Sequence, residues 1–258
     1  GTAATIALTG NTGSIQWQNS PNGSTWSNIS GATSSSYTTL SLTSTTYYRA
    51  VVTSGSCASA NSNTVTITVN AASVAGTASG TTPICYGATS VLSLSGYTGT
   101  IQWQSSPNGS TWSNISGATS STYTTPALTT TTYYRAVVTS GVCSPAYSGT
   151  VTVNVSPQSV GGTASASPSS ICSGNTSVLS VSGYTGSIQW QQSPTGTGSW
   201  TNISGATSAT YTTPVLTTTT YYRAVVISGT GCTASNSTTA SVVVTAQSVG
   251  GTASVSPS

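Results

Sequence analysis

Five cysteines, Cys57, Cys85, Cys143, Cys172 and Cys232, are the side chains best able to make or break a covalent bond here, and they are scattered. A metal centre needs ligands at short spacing, and two sulfurs in each stretch of about 86 residues, with no histidine in the chain, do not assemble one. The remaining chemistry is a bridge. By their places in a repeated pattern, Cys85 goes with Cys143 and Cys172 with Cys232, 58 and 60 residues apart. Cys57 matches Cys143 and is unpaired in this window, its partner expected just upstream of Gly1. One disulfide per repeat, near one end of each unit, contributes on the order of 2–4 kcal/mol and implies an oxidising, extracellular setting.

The other reactive groups are few. The only side-chain charges are Arg49, Arg135 and Arg223; lysine, histidine, aspartate and glutamate are absent. General acid–base work then has only cysteine and tyrosine to draw on, a serine or threonine nucleophile has no base beside it, and calcium has no carboxylate. No catalytic residue, metal ligand or cofactor is expected, and the chain does not read as an enzyme. A net charge of +3 over 258 residues is too thin to grip nucleic acid or an anionic membrane. No apolar run approaches a membrane span, and no signal peptide is recognisable.

Each arginine sits in the same phrase, "YYRAVV", at residues 47–52, 133–138 and 221–226. Ahead of each stands a long near-copy, "IQWQNSPNGSTWSNISGATSSSYTT" from Ile15, "IQWQSSPNGSTWSNISGATSSTYTT" from Ile101 and "IQWQQSPTGTGSWTNISGATSATYTT" from Ile188, at spacings of 86 and 87 residues. The charge recurs because the unit recurs. Extra residues in the third copy fall at "SPTGTGSW", at "SGTGC" and before Cys172, where turns are expected. The division is residues 1–72, a first repeat lacking its first strand and first cysteine; 73–157; 158–246; and 247–258, the first strand of a following repeat. The frame predicts that the polypeptide continues in both directions.

Strict alternation defines the strands. Leu92 and Leu94, Ile101 and Trp103, and Val151, Val153 and Val155 each share a face, and the set returns as Ile6, Leu8, Ile15 and Trp17 and as Leu179, Val181, Ile188 and Trp190. Trp17, Trp103 and Trp190 are the predicted core. In the second YYRAVV, Tyr134, Ala136 and Val138 point inward and Tyr133, Arg135 and Val137 outward. One apolar face per strand calls for two sheets, and no segment has helical spacing. About seven strands in 86 residues around a central Trp outline an all-β fold: tandem immunoglobulin-like β-sandwiches in an extended array. At about 3.3 Å per strand residue each adds roughly 30–40 Å. At the joint, Gly161 and Gly162 read equally as a hinge or as a bulge or close backbone approach.

The run "IQWQSSPNGSTWSNISGATSSTYTTPALTTTTYYRAVVTSGVC" (residues 101–143) closely resembles the Ig-like repeats of very large secreted surface proteins of Bacteroidota, and the resemblance covers the whole chain. It implies an adhesin or surface-filament stalk, exported by type IX secretion and displayed on the cell surface or as a secreted filament. The chain departs from the family where an Asp commonly precedes the Gly of the hairpin tip: Asn22 and Asn108 stand there, and Thr195 in the third copy.

The expected function is a structural repeat region without catalysis. Its partners are neighbouring repeats or copies of itself, joined end to end, laterally or by strand donation. The alternative is a carbohydrate-binding module in which Trp26, Trp112 and Trp200, with Arg49, Arg135 and Arg223 nearby, contact surface glycans. A third reading takes outward threonine ladders as an ice or mineral surface.

Overall fold

The computed structural model describes residues 2–255; Gly1 and the last three residues of the segment 247–258 lie outside the described residues. Among the described residues all regular structure is β, arranged in three repeated domains. By compactness the chain divides into two units, the first made of Gly1–Thr77, Ser95–Gln102 and Ala136–Ser148, the second of Ala78–Leu94, Trp103–Arg135 and Gly149–Ser258.

In the first unit, the first repeat has two sheets. Thr5–Ala7 pairs antiparallel with Ser36–Thr38, placing Ile6 opposite Tyr37. The larger sheet runs in the order Ser27–Asn28, Ser14–Ser20, Thr46–Thr53, Ala60–Asn61, with Val65–Ile67 also beside Thr46–Thr53. Register follows the alternation: Trp17 faces Ala50 and Gln18 faces Arg49 across the strand pair. Ile6, Ile15, Trp17, Ala32, Tyr48 and Ala50 form the core. The Trp17 indole N–H donates to the Ser34 carbonyl at 2.9 Å, so burial leaves no donor unpaired.

The second unit holds the third repeat whole. One sheet is Thr163–Ser167, Val178–Ser182 and Thr210–Thr212. The other is Ser170–Cys172, Ala240–Thr245, Thr220–Ile227, Ser187–Ser193 and Thr201–Asn202, with Ser235–Asn236 beside Thr220–Ile227. The repeat thus has nine short strands against about seven expected. The first strand is divided: Pro168, which has no N–H for a ladder, follows Thr163–Ser167, and Ser170–Cys172 then joins the other sheet, parallel to Val243–Thr245. The same division recurs in the second repeat around Pro83, where Ile84–Cys85 runs parallel to Val155–Ser156.

Trp103 and Trp190 are fully buried, as are Ala136, Val138, Tyr222, Ala224 and Val226, with Tyr134 almost so. Arg49, Arg135 and Arg223 are half-buried on the opposite face. Period-two alternation therefore carries through the long strand of each repeat.

Candidate functional site

The joint between the second and third repeats lies within the second unit and is densely hydrogen-bonded. Ser228 N–H donates to Ser159 Oγ at 3.0 Å, Gly161 N–H to Ser235 Oγ at 3.1 Å and Ala164 N–H to Thr238 Oγ1 at 2.9 Å, while Val160 bridges to Thr185. Gly161 and Gly162 are the close approach rather than a hinge. A Cβ at Gly161 would meet the Asn236 carbonyl, and Gly162 has φ +74° with the Ser182 carbonyl against it, a conformation that favours glycine.

Across this joint Cys85 is bonded to Cys232, with Cα atoms 5.5 Å apart and a sequence separation of 147. This corrects the expected pairing of Cys85 with Cys143 and Cys172 with Cys232. The reason is the divided first strand. Parallel pairing of Ile84–Cys85 with Val155–Ser156 carries Cys85 to the exit end of its repeat, beside the chain leading onward. Cys143 lies instead at the entry end, its thiol 3.5 Å from the Ala71 carbonyl in the segment leading in. Cys232, which follows Thr220–Ile227, holds the matching place in the third repeat and so meets Cys85. The bridge therefore joins consecutive repeats.

Cys57 and Cys172 are exposed thiols and Cys143 a half-buried one. Within the first unit the preceding joint repeats the same geometry: Ser140 N–H donates to Ser73 Oγ at 2.9 Å and Val74 bridges to Thr98.

The arginines form a second recurring arrangement. Arg223 Nε donates to Gln191 Oε1 at 2.8 Å, Gln191 Nε2 donates to Asn202 Oδ1 at 2.9 Å, and the guanidinium carbon stands 4.4 Å from the centre of the Trp200 ring. Arg49 with Gln18, Asn28 and Trp26, and Arg135 with Gln104, Asn114 and Trp112, repeat this with guanidinium–ring distances of 4.3 Å. Strand register builds it, since each Gln lies opposite its Arg in the first and third repeats and opposite its Asn in all three. A cation lacking any carboxylate is thus held by an amide oxygen and an indole face. The sequence suggested Trp26, Trp112 and Trp200 as surface contacts but did not reveal the Gln and Asn that complete each cluster.

Residues 1–71, 74–157 and 160–246 each match the family described as Domain of unknown function (DUF8696). The chain belongs to that family. No curated protein matches it. Among solved structures, the DUF8696 chain aligns with domains A168–A170 of titin at 12% identity and TM-score 0.40, over 93% of this chain and 90% of that one. It aligns with murine CEACAM1b at 13% and 0.41, over 66% and 99%. With the FN1–FN3 domains of chicken CNTN1 the values are 13% and 0.35, over 94% of each. These overlaps are loose.

Two hairpin tips of the DUF8696 repeats close on an asparagine. Asn22 Oδ1 accepts the Ser24 and Thr25 N–H groups at 3.0 and 2.9 Å, while buried Ser20 Oγ accepts from Gly23 N–H at 2.9 Å. Asn108 and Ser106 do the same in the second repeat. Here the asparagine oxygen serves the backbone of its own turn. In the third repeat Ser193 Oγ accepts from Thr195 and Gly196 N–H groups.

Proposed function

We propose that this chain is the structural repeat region, a stalk or filament shaft, of an extracellular bacterial surface adhesin, and that it performs no catalysis. The observation that carries the reading is the Cys85–Cys232 bond between consecutive repeats. A bond in that place makes the joint, rather than the interior of one domain, the covalently reinforced point. Such a bond persists in oxidising surroundings, which supports display outside the cell. Export by the type IX pathway of Bacteroidota is the finer form of this reading and rests on the motif resemblance.

Glycan binding through Trp26, Trp112 and Trp200 is less well supported, because a guanidinium already occupies one face of each ring. The test is location. Antibody raised against the 258-residue chain should decorate intact, unpermeabilised cells that make the native protein. Labelling that appears only after permeabilisation would sink the proposal.

A further inference from the structure

Each arginine sets the direction of a chain of amides. A guanidinium can only donate, so Arg49, Arg135 and Arg223 each take a glutamine Oε1 and leave the nitrogen of that amide for the next partner. That nitrogen donates to Oδ1 of Asn28, Asn114 or Asn202 at 2.8, 2.8 and 2.9 Å. The asparagine oxygen is therefore the held end, and Nδ2 makes no hydrogen bond among the described residues.

Each of these asparagines also opens the triplet Asn-Ile-Ser, at residues 28–30, 114–116 and 202–204. Asn-x-Ser/Thr is the acceptor pattern for a sugar on an amide nitrogen. The pattern occurs eight times in this serine- and threonine-rich chain, so by itself it selects nothing. Position selects three. Asn-Ile-Ser is the version that stands in every repeat, whereas the tips at Asn22 and Asn108 give way to Thr195 in the third. In the others the hydroxyl residue is tied into the fold: Ser177, after Asn175, is buried, Thr238, after Asn236, accepts the Ala164 N–H, and Ser156, after Asn154, is in the strand beside Ile84–Cys85.

The three triplets lie where an enzyme can reach a folded chain. Ser27–Asn28, Ser113–Asn114 and Thr201–Asn202 stand at the ends of their sheets, each paired on one side. The Asn and the Ser of every triplet are exposed. The chain then turns, the Ile carbonyl accepting the N–H three residues on at 3.1–3.2 Å with Gly31, Gly117 and Gly205 at φ +72° to +73°. A Cβ on any of these glycines would meet open space. Two residues ahead of each asparagine, half-buried Trp26, Trp112 or Trp200 shares its face of the strand, so a sugar on Nδ2 starts beside a broad apolar ring.

We propose that Asn28, Asn114 and Asn202 are N-glycosylation sites, each taking a sugar on Nδ2 from a glycosyl diphosphate through a transferase of the producing cell. Nδ2 bonds to the anomeric carbon, and the bond from that carbon to the phosphate oxygen breaks with its electron pair on the departing diphosphate. Nδ2 gives one proton to solvent, and nothing is oxidised or reduced. Such a sugar differs from a glycan gripped by the Trp rings, because it is covalent and needs neither ring face free.

The test uses the native protein recovered from the cells that make it, denatured, reduced, alkylated and cut with trypsin at Arg49, Arg135 and Arg223. Electron-transfer fragmentation of the peptides should place a sugar on Asn28, Asn114 and Asn202. Ser204→Ala, made in the same cells, should lower occupancy at Asn202 on the order of ten-fold or more and leave Asn28 and Asn114 as they were, while Ser204→Thr should keep the Asn202 sugar. Both changes fall on an exposed side chain and spare Asn202 and Gln191. Bare asparagine at all three positions, sugar confined to Asn22 and Asn108, sugar on serine or threonine alone, or full occupancy at Asn202 in Ser204→Ala would each overturn the proposal. Bare asparagines on a chain that antibody still reaches on intact cells would reject the sugar and leave the stalk reading in place.

Discussion

Cys85 and Cys232 belong to different repeats and are covalently joined, so the 147-residue span between them is closed into one loop. Under tension the bond carries load past that whole span. Stretched from its two ends in oxidising buffer, the chain should release no length from inside the loop; after reduction, unfolding should add about 500 Å at 3.3–3.6 Å per residue. Single-molecule force extension with and without dithiothreitol measures the difference, and equal lengths in the two buffers would refute the bridge.

The same bond should raise equilibrium stability. With Cys57, Cys143 and Cys172 changed to Ser in both proteins to prevent exchange, the further pair Cys85→Ser and Cys232→Ser should cost on the order of 2–4 kcal/mol in urea unfolding. The loss should fall on the second and third repeats, while the Trp17 core, which has no part in the bridge, keeps its midpoint.

Arg223 is stacked on Trp200 and bonded to Gln191 in a site with no carboxylate. Arg223→Met keeps most of the aliphatic stem and removes the cation, so it should cost about 1 kcal/mol. Trp200 emission should shift to the red as the ring is uncovered. A shift of emission with no change in stability would mean that the cluster orders the hairpin without stabilising the repeat.

Much of this fold is legible in the sequence. Ile188, Trp190, Tyr222 and Ala224 follow strict alternation, and a side chain's face in a strand depends on little else than its parity. Cysteine pairing is different in kind. Two sulfurs per repeat satisfy either a bridge within the repeat or one to the next, and spacing cannot distinguish them. What decides is the sheet taken by Ile84–Cys85, which follows from the break at Pro83 and from parallel pairing with Val155–Ser156. That pairing is a long-range contact carrying no local periodic signal. The Arg–Gln–Asn–Trp cluster is intermediate: the arginine's outward face was readable, but its Gln partner required the register between two strands.

Tyr222 is completely buried and its hydroxyl makes no hydrogen bond of good geometry among the described residues, although the Thr220 side chain interacts with it and offsets part of the effect of burial on its pKa. An unpaired buried hydroxyl costs roughly 1–3 kcal/mol, and phenylalanine fills nearly the same space. Tyr222→Phe should therefore leave the third repeat as stable as before or more so, seen as an unchanged or higher urea midpoint. A loss above about 1 kcal/mol would show that the hydroxyl is bonded in solution.

The dependence of stability on pH should be one-sided. With no Asp, Glu or His side chains, there is no carboxylate to protonate and no imidazole to charge on acidification, so urea midpoints should be nearly flat from acid to neutral pH. At the alkaline end, burial first, and then the neighbouring Tyr123 and Tyr211 respectively, push Tyr134 and Tyr222 up to about 12 from 10.0. Burial, with Tyr37 nearby, also raises Tyr48. Unfolding returns these phenols to the ordinary value, so above pH 10 the unfolded chain releases protons that the folded chain retains. Stability is then fully present below pH 10 and falls as pH rises towards 12. Circular dichroism of the thiol-alkylated, bridge-intact chain in urea across pH 2 to 12 reads both limbs. A steep loss between pH 3 and 5 would contradict the acid limb, and a flat response from pH 10 to 12 the alkaline one.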